Sequence, residues 1–131
     1  MQKRVSGNIL NITGATQQAI PLQTPGSTCN AAVRMFSTEL SMELGPMYIR
    51  VNSPGPGRIQ TAGADQLLKA KAETQGISKA EDLSGLVSTI PSSRMGTVAD
   101  IADAVCFLVS ERGTYVNGSA LAIDGGKSLM I

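Results

Sequence analysis

Short apolar runs alternate along the chain with longer stretches whose apolar residues recur at helical spacing, and turn residues separate the two. "NILNIT" (Asn8 to Thr13) groups Ile9, Leu10 and Ile12 ahead of polar residues, which predicts a buried strand opening into a loop. That loop, "GATQQAIPLQTPG", carries Gly14, Pro21, Pro25 and Gly26 and is expected to hold no regular element. From Ser27 or Thr28, either of them a suitable N-cap, a helix is expected to run to Leu44. Ala32, Phe36 and Leu40 lie at i, i+4 spacing on it, with Val33 beside them. Gly45 and Pro46 end it. "YIRVNS" (Tyr48 to Ser53) is β-branched and aromatic and runs into "PGPG", which predicts a second strand closed by a tight turn.

Residues 62–90 show a polar helical pattern around Ala64 to Glu73, a break at Gly76 and another short helix from Lys79. Thr97 stands where it would cap the next helix, with Asp100 three residues on in a capping-box arrangement, and Ile101, Val105 and Leu108 form that helix's apolar face. The last strand is "SALAID" (Ser119 to Asp124), closed by Gly125 and Gly126. Strand, helix, strand in this order is a βαβ unit, so the expected fold is α/β with a parallel sheet and a right-handed crossover. Strands are expected at roughly 8–13, 48–53 and 119–123. Three strands leave a long sheet edge uncovered, and the chain reads as half of a doubly wound fold.

Composition narrows the function. The 131 residues suit one domain, with 42% hydrophobic and 16% charged residues. Aromatics make up 3%, there is no Trp, and the formal net charge is +1. Base stacking and polyanion binding both lack their residues, so no nucleic-acid partner is expected. His is absent, which removes histidine bases, Ser-His-Asp triads and most zinc sites. Cys29 and Cys106 lie in apolar, helix-like stretches and are expected to be buried free thiols. No apolar run approaches the roughly 20 residues of a membrane span, and "MQKRVSG" lacks a signal-peptide core, so the expected setting is the cytoplasm.

Three stretches, in order and with matching intervals, carry a resemblance. "GNILNIT" resembles a strand ending at a catalytic serine, "IRVNSPGPGRIQT" holds Arg-Val-Asn, Pro-Gly and Thr in spacing, and "RMGTVADIADAVCFLVSERGTYVNGSALAIDGG" resembles a C-terminal helix, link and last strand. Together they resemble the C-terminal half of the short-chain dehydrogenase/reductase family. The resemblance implies a Rossmann-like parallel sheet and a single partial domain over residues 1–131, without the dinucleotide-binding half. It implies an NAD- or NADP-dependent oxidoreductase acting on a small-molecule carbonyl or alcohol, and a homo-oligomer or association with a missing N-terminal half.

Carried over residue by residue, the family's pattern places its catalytic tyrosine at Gly26 and its lysine at Asn30, with the serine at Thr13 or Gly14. No Tyr occurs in residues 1–47. Arg34, one turn beyond Asn30, has a charge that cannot be tuned as a lysine's can. Thr13 remains a weak catalytic candidate, able to offer a hydroxyl to a carbonyl oxygen. Tyr48 and Tyr115 are expected to be packing residues. The resemblance implies cofactor contacts at Pro56, Gly57, Ile59 and Thr61, with the Ile59 backbone on the nicotinamide carboxamide and Thr61 on the pyrophosphate side. A branch of dienoyl-CoA reductases suggests Asp124 as an acid, against a plainer role in capping the last turn. No G-x-G-x-x-G turn follows a strand here, so this chain alone is expected to bind cofactor weakly or not at all. The alternative is a non-catalytic binding or assembly module whose apolar faces, such as Ala32, Phe36 and Leu40, pack against a partner.

Overall fold

A computed structural model describes residues 6–14 and 24–128. Three parallel strands form the sheet: β1 (Gly7–Leu10), β2 (Ile49–Pro56) and β3 (Ala120–Ile123), in spatial order β1-β2-β3. Four helices connect them: α1 (Thr24–Leu44), α2 (Ala62–Gln75), α3 (Lys79–Ser88) and α4 (Val98–Val109). The expected parallel α/β sheet is therefore the fold.

The central strand β2 is shared end to end between its neighbours. Ile49 to Asn52 pair with Gly7 to Leu10, and Ser53 to Pro56 pair with Ala120 to Ile123. The expected stop at Ser53 is wrong, because "PGP" continues the strand rather than turning it. Ser53 and Gly57 donate toward β3, to the carbonyls of Ser119 and Ile123. Pro54 and Pro56 alternate with them, so their missing N–H groups fall on the β1 side, where β1 has ended. There the Pro54 carbonyl still accepts from the Thr13 N–H at 3.0 Å.

Helix α1 begins at Thr24, three or four residues before the expected start, and includes Pro25 and Gly26. Proline in a first helical turn loses only an N–H that has no intrahelical partner. The packed side of α1 also differs from its apolar pattern. Ser37 and Ser41 are buried against β2, while Phe36 is 57% and Val33 37% exposed. The two serine hydroxyls donate to carbonyls of their own helix, Val33 and Thr38, both at 2.7 Å, so they enter a tight contact already satisfied. The expectation for residues 62–90 holds: α2 ends at Gly76, in the left-handed conformation at φ 67°, and Ser78 opens α3 with a capping box.

Val51 on β2 and Leu108 on α4 are the most deeply buried apolar side chains. Each contributes about 1.5–3 kcal/mol by leaving water. Arg50 ties the end of α4 to the sheet, its guanidinium donating to the carbonyls of Leu108 at 2.5 Å and Gly113 at 2.6 Å. Tyr48 and Tyr115 do not pack as expected: Tyr48 is 80% exposed in a left-handed turn, and Tyr115 is wholly exposed. Cys29 and Cys106 are likewise exposed free thiols, because each lies on the outer side of its helix.

Candidate functional site

In a parallel sheet the backbone groups and loops that meet ligands gather at the carboxyl ends of the strands. Here that end carries Thr13 beyond β1, the loop after Pro56, and Asp124 after β3. A larger open groove of about 640 Å³ lies at the opposite ends, lined by Asn8, Arg50 and Tyr115. Its Arg50 is already committed to four carbonyls, of Leu108, Ser110, Gly113 and Val116.

The loop after β2 is held open-handed. Gln60 donates to the Gly96 carbonyl at 2.8 Å, and Gly96 donates to the Arg58 carbonyl at 2.9 Å. This bridge uses the groups on either side of Ile59 and leaves the Ile59 N–H and C=O unengaged among the described residues. Thr61 caps α2, its hydroxyl accepting from the Ala64 N–H at 3.1 Å. Gly57, Ile59 and Thr61 line a groove of about 570 Å³ together with Leu68, Lys71 and Met95. Pro56 closes β2 beside it. The four cofactor residues expected from the sequence thus lie along one loop, three of them on one groove.

Thr13 lies elsewhere. It is 6% exposed, and its hydroxyl has no partner among the described residues. It lines a small cavity with Gly14, Arg34 and Ser53. Gly26 and Asn30 precede Arg34 at i−8 and i−4 on α1, so the three share one side of the helix. A Cβ added at Gly26 meets nothing within 4 Å. Ser53 was not singled out from the sequence. Strand alternation with the buried Val51 was the available signal.

Asp124 is a turn cap. Its carboxylate accepts from the Gly126 N–H at 3.0 Å and the Ser128 N–H at 2.7 Å. Partial burial pushes the carboxyl up, but hydrogen bonds from Ser128, Gly126 and Lys127 outweigh it and hold the group below the ordinary value. An acid ionised this readily has no proton to give at neutral pH. At the start of α4, Arg94 pairs with Asp100 at 2.7 Å, and with the Thr97 bonds this holds Asp100 well below the usual carboxylate range. Both halves of the Thr97–Asp100 capping box are present. Among the described residues no cluster of His, Cys, Asp or Glu could hold a metal ion, and no helix is long and apolar enough to cross a membrane.

Comparison with known proteins places these features in a family. The family described as "Enoyl-(Acyl carrier protein) reductase" matches residues 1–128. Glucose 1-dehydrogenase 2 of Bacillus subtilis is 31% identical over 130 residues, covering 98% of this chain and 46% of that protein. The 3-oxoacyl-[acyl-carrier-protein] reductase FabG of Chlamydia muridarum is 37% identical over 130 residues, covering 96% and 47%. The crystal structure of L-sorbose reductase from Gluconobacter frateurii, complexed with NADPH and L-sorbose, superposes with a TM-score of 0.90 at 29% identity, covering 98% and 49%. The chain spans about half the length of the curated relatives it matches.

Proposed function

This chain belongs to the short-chain dehydrogenase/reductase family, and on that premise we propose that it supplies the nicotinamide side of an NAD(P)-dependent oxidoreductase. The substrate class is a small carbonyl or its alcohol, the setting the cytoplasm, and the proton relay is weakened. The carrying observation is the free Ile59 backbone, a donor and an acceptor turned from the bridge that fixes their neighbours. A carboxamide needs one of each. Pro56 and Gly57 lead the chain to that point, and the Thr61 hydroxyl, accepting from Ala64, keeps its own proton to donate. Bound there, the reduced cofactor would supply a hydride.

The alkoxide formed by hydride addition requires a proton. Thr13 can hold the oxygen, but Gly26 and Asn30 carry neither an acidic phenol nor the ammonium that lowers its pKa. General acid–base help of about 10²–10⁴ in rate is therefore absent from these two positions.

One observation favours the second reading, a non-catalytic assembly module. Met35, Phe36 and Met42 on α1 are 62%, 57% and 75% exposed. Such a stripe suits a second copy of the chain or a complementary half.

Titration with NADPH, followed by amide shifts, tests the proposal. Ile59 and Thr61 should move together, without saturating below millimolar concentrations, since no glycine-rich pyrophosphate turn occurs in the 131 residues. Shifts confined to other residues would remove the cofactor assignment.

A further inference from the structure

Asn117 and Gly118 lead the chain into β3, and the fold demands both residue types. The Asn117 side chain accepts from the Val51 N–H through Oδ1 at 2.8 Å and donates from Nδ2 to the Ser41 carbonyl at 3.1 Å. The place calls for an acceptor and a donor on one short side chain, which an amide provides and a carboxylate does not. Gly118 has φ 71°, and a Cβ added to it would lie 2.7 Å from the Ser41 Oγ, so glycine alone fits. Its N–H donates to the Val51 carbonyl at 2.8 Å.

The same pair is chemically fragile. Asparagine is a thermolabile residue, and a following glycine sets no side chain in the way of its own nitrogen. In deamidation the Gly118 nitrogen would attack the Asn117 Cγ and lose its proton, the Cγ–Nδ2 bond would break, and ammonia would leave. Water then opens the cyclic imide at either carbonyl, giving aspartate or isoaspartate. No other asparagine in the chain precedes a glycine.

In the folded chain both reacting groups are engaged. The attacking nitrogen is tied to the Val51 carbonyl, and the carboxamide is held at its oxygen and at its nitrogen. Asn117 is exposed, so water has access once an imide forms. We propose that Asn117–Gly118 is a fold-gated deamidation site, shut in the native chain and reactive when this turn opens. The product does not fit back. Aspartate keeps the acceptor for Val51 but sets a carboxylate oxygen against the Ser41 carbonyl. Isoaspartate adds a carbon to the backbone just before Ser119, whose N–H donates to the Asn52 Oδ1 at 2.9 Å and whose carbonyl accepts from Ser53 at 2.8 Å. A brief opening thereby becomes a lasting loss of register between β2 and β3.

The experiment is incubation of the whole chain at mildly alkaline pH, in native buffer and in denaturing guanidinium chloride. Position 117 is followed by peptide mass and isoaspartate content. In denaturant Asn117 should convert before any other asparagine. In native buffer it should convert about 100-fold more slowly, the protection that three ordinary hydrogen bonds give. Val51→Ala loosens the buried residue that holds both groups, and it should speed conversion several-fold in native buffer while leaving the rate in denaturant unchanged. Asn117→Asp, which carries the product side chain, should unfold at a lower denaturant midpoint than the parent. Equal rates in the two solvents, earlier conversion of another asparagine, or an unchanged midpoint for Asn117→Asp would each overturn the proposal. Should Val51→Ala fail to fold, the two rates of the unaltered chain decide alone.

Discussion

A Cβ built on Gly57 would lie 2.5 Å from the Cβ of Asp124 and 2.7 Å from its Cα. The ends of β2 and β3 therefore touch through a bare backbone, and the Gly57 N–H donates to the Ile123 carbonyl at 2.9 Å at the same place. This contact fixes where the loop toward Ile59 leaves the sheet. It gives the glycine a packing role, since its φ is not in the left-handed region.

Gly57→Ala should accordingly destabilise the chain by about 1–3 kcal/mol, because the neighbouring atoms are backbone and cannot swing away. Gly85, within α3, is the control. Its added Cβ meets nothing within 4 Å, so Gly85→Ala should stabilise by about 0.5–1 kcal/mol through helix propensity. Urea midpoints at unchanged slope measure both. A neutral Gly57→Ala would mean that the two strand ends are further apart than described.

Among the described residues three carboxyls have resolved shifts, and all three are downward. Asp100 is held down by Arg94 and Thr97, Glu81 by the Ser78 backbone and hydroxyl, and Asp124 by its turn against partial burial. A carboxyl depressed in the folded state adds stability above its unfolded pKa, near 4, and that stability is lost as pH falls through the folded value. With no histidine to titrate near 6.5, stability should be nearly flat from about pH 5 to 8 and should fall below about pH 4. Asp124→Asn should flatten part of the acid limb. Thermal melts across this range check it, and a stability maximum near pH 4 would contradict the assignment.

What was legible in the sequence was local. The Thr97–Asp100 box, the break at Gly76 and the helix from Lys79 depend on residues within four positions of each other, and the structure shows them as expected. The strand through Pro54 and Pro56 was not legible, because a proline's missing N–H matters only on a side that is paired, and pairing is decided by distant residues. The burial of Ser37 and Ser41 in place of Phe36 was hidden for a related reason. Small hydroxyls that bond their own helix can pack closely against β2, and apolar periodicity does not register them. The cofactor role given to loop residues 56, 57, 59 and 61 comes through the resemblance and stands as a proposal. The pairing of Thr13 with Ser53 and Arg34 required the fold, since it joins three elements.

The exposure of Cys29 and Cys106 has a direct chemical check. Both thiols should react with a disulfide reagent in the native state, at rates that rise little on adding denaturant. Two equivalents per chain are expected. A thiol that reacts only after unfolding would restore the expectation of burial.

The last prediction concerns the relay positions. Gly26 and Asn30 lie one turn apart on α1, and the open space at Gly26 leaves room for a large side chain. Gly26→Tyr with Asn30→Lys would therefore set a phenol beside an ammonium that lowers its pKa, on the side of the helix that also carries Arg34. Alone, the double variant should stay inactive, because the cofactor is still held without a phosphate-binding turn. Complemented with the dinucleotide-binding half of a family member, it should reduce an activated carbonyl faster than the complemented parent, by up to about 10²–10⁴-fold. The gain should require both changes, since a tyrosine without the lysine keeps its ordinary pKa and transfers its proton reluctantly at neutral pH. Equal rates for double variant and parent would show that Gly26 and Asn30 do not face the reacting carbonyl. Appreciable turnover by the unaltered chain would instead point to Thr13 and overturn the reading of a weakened relay.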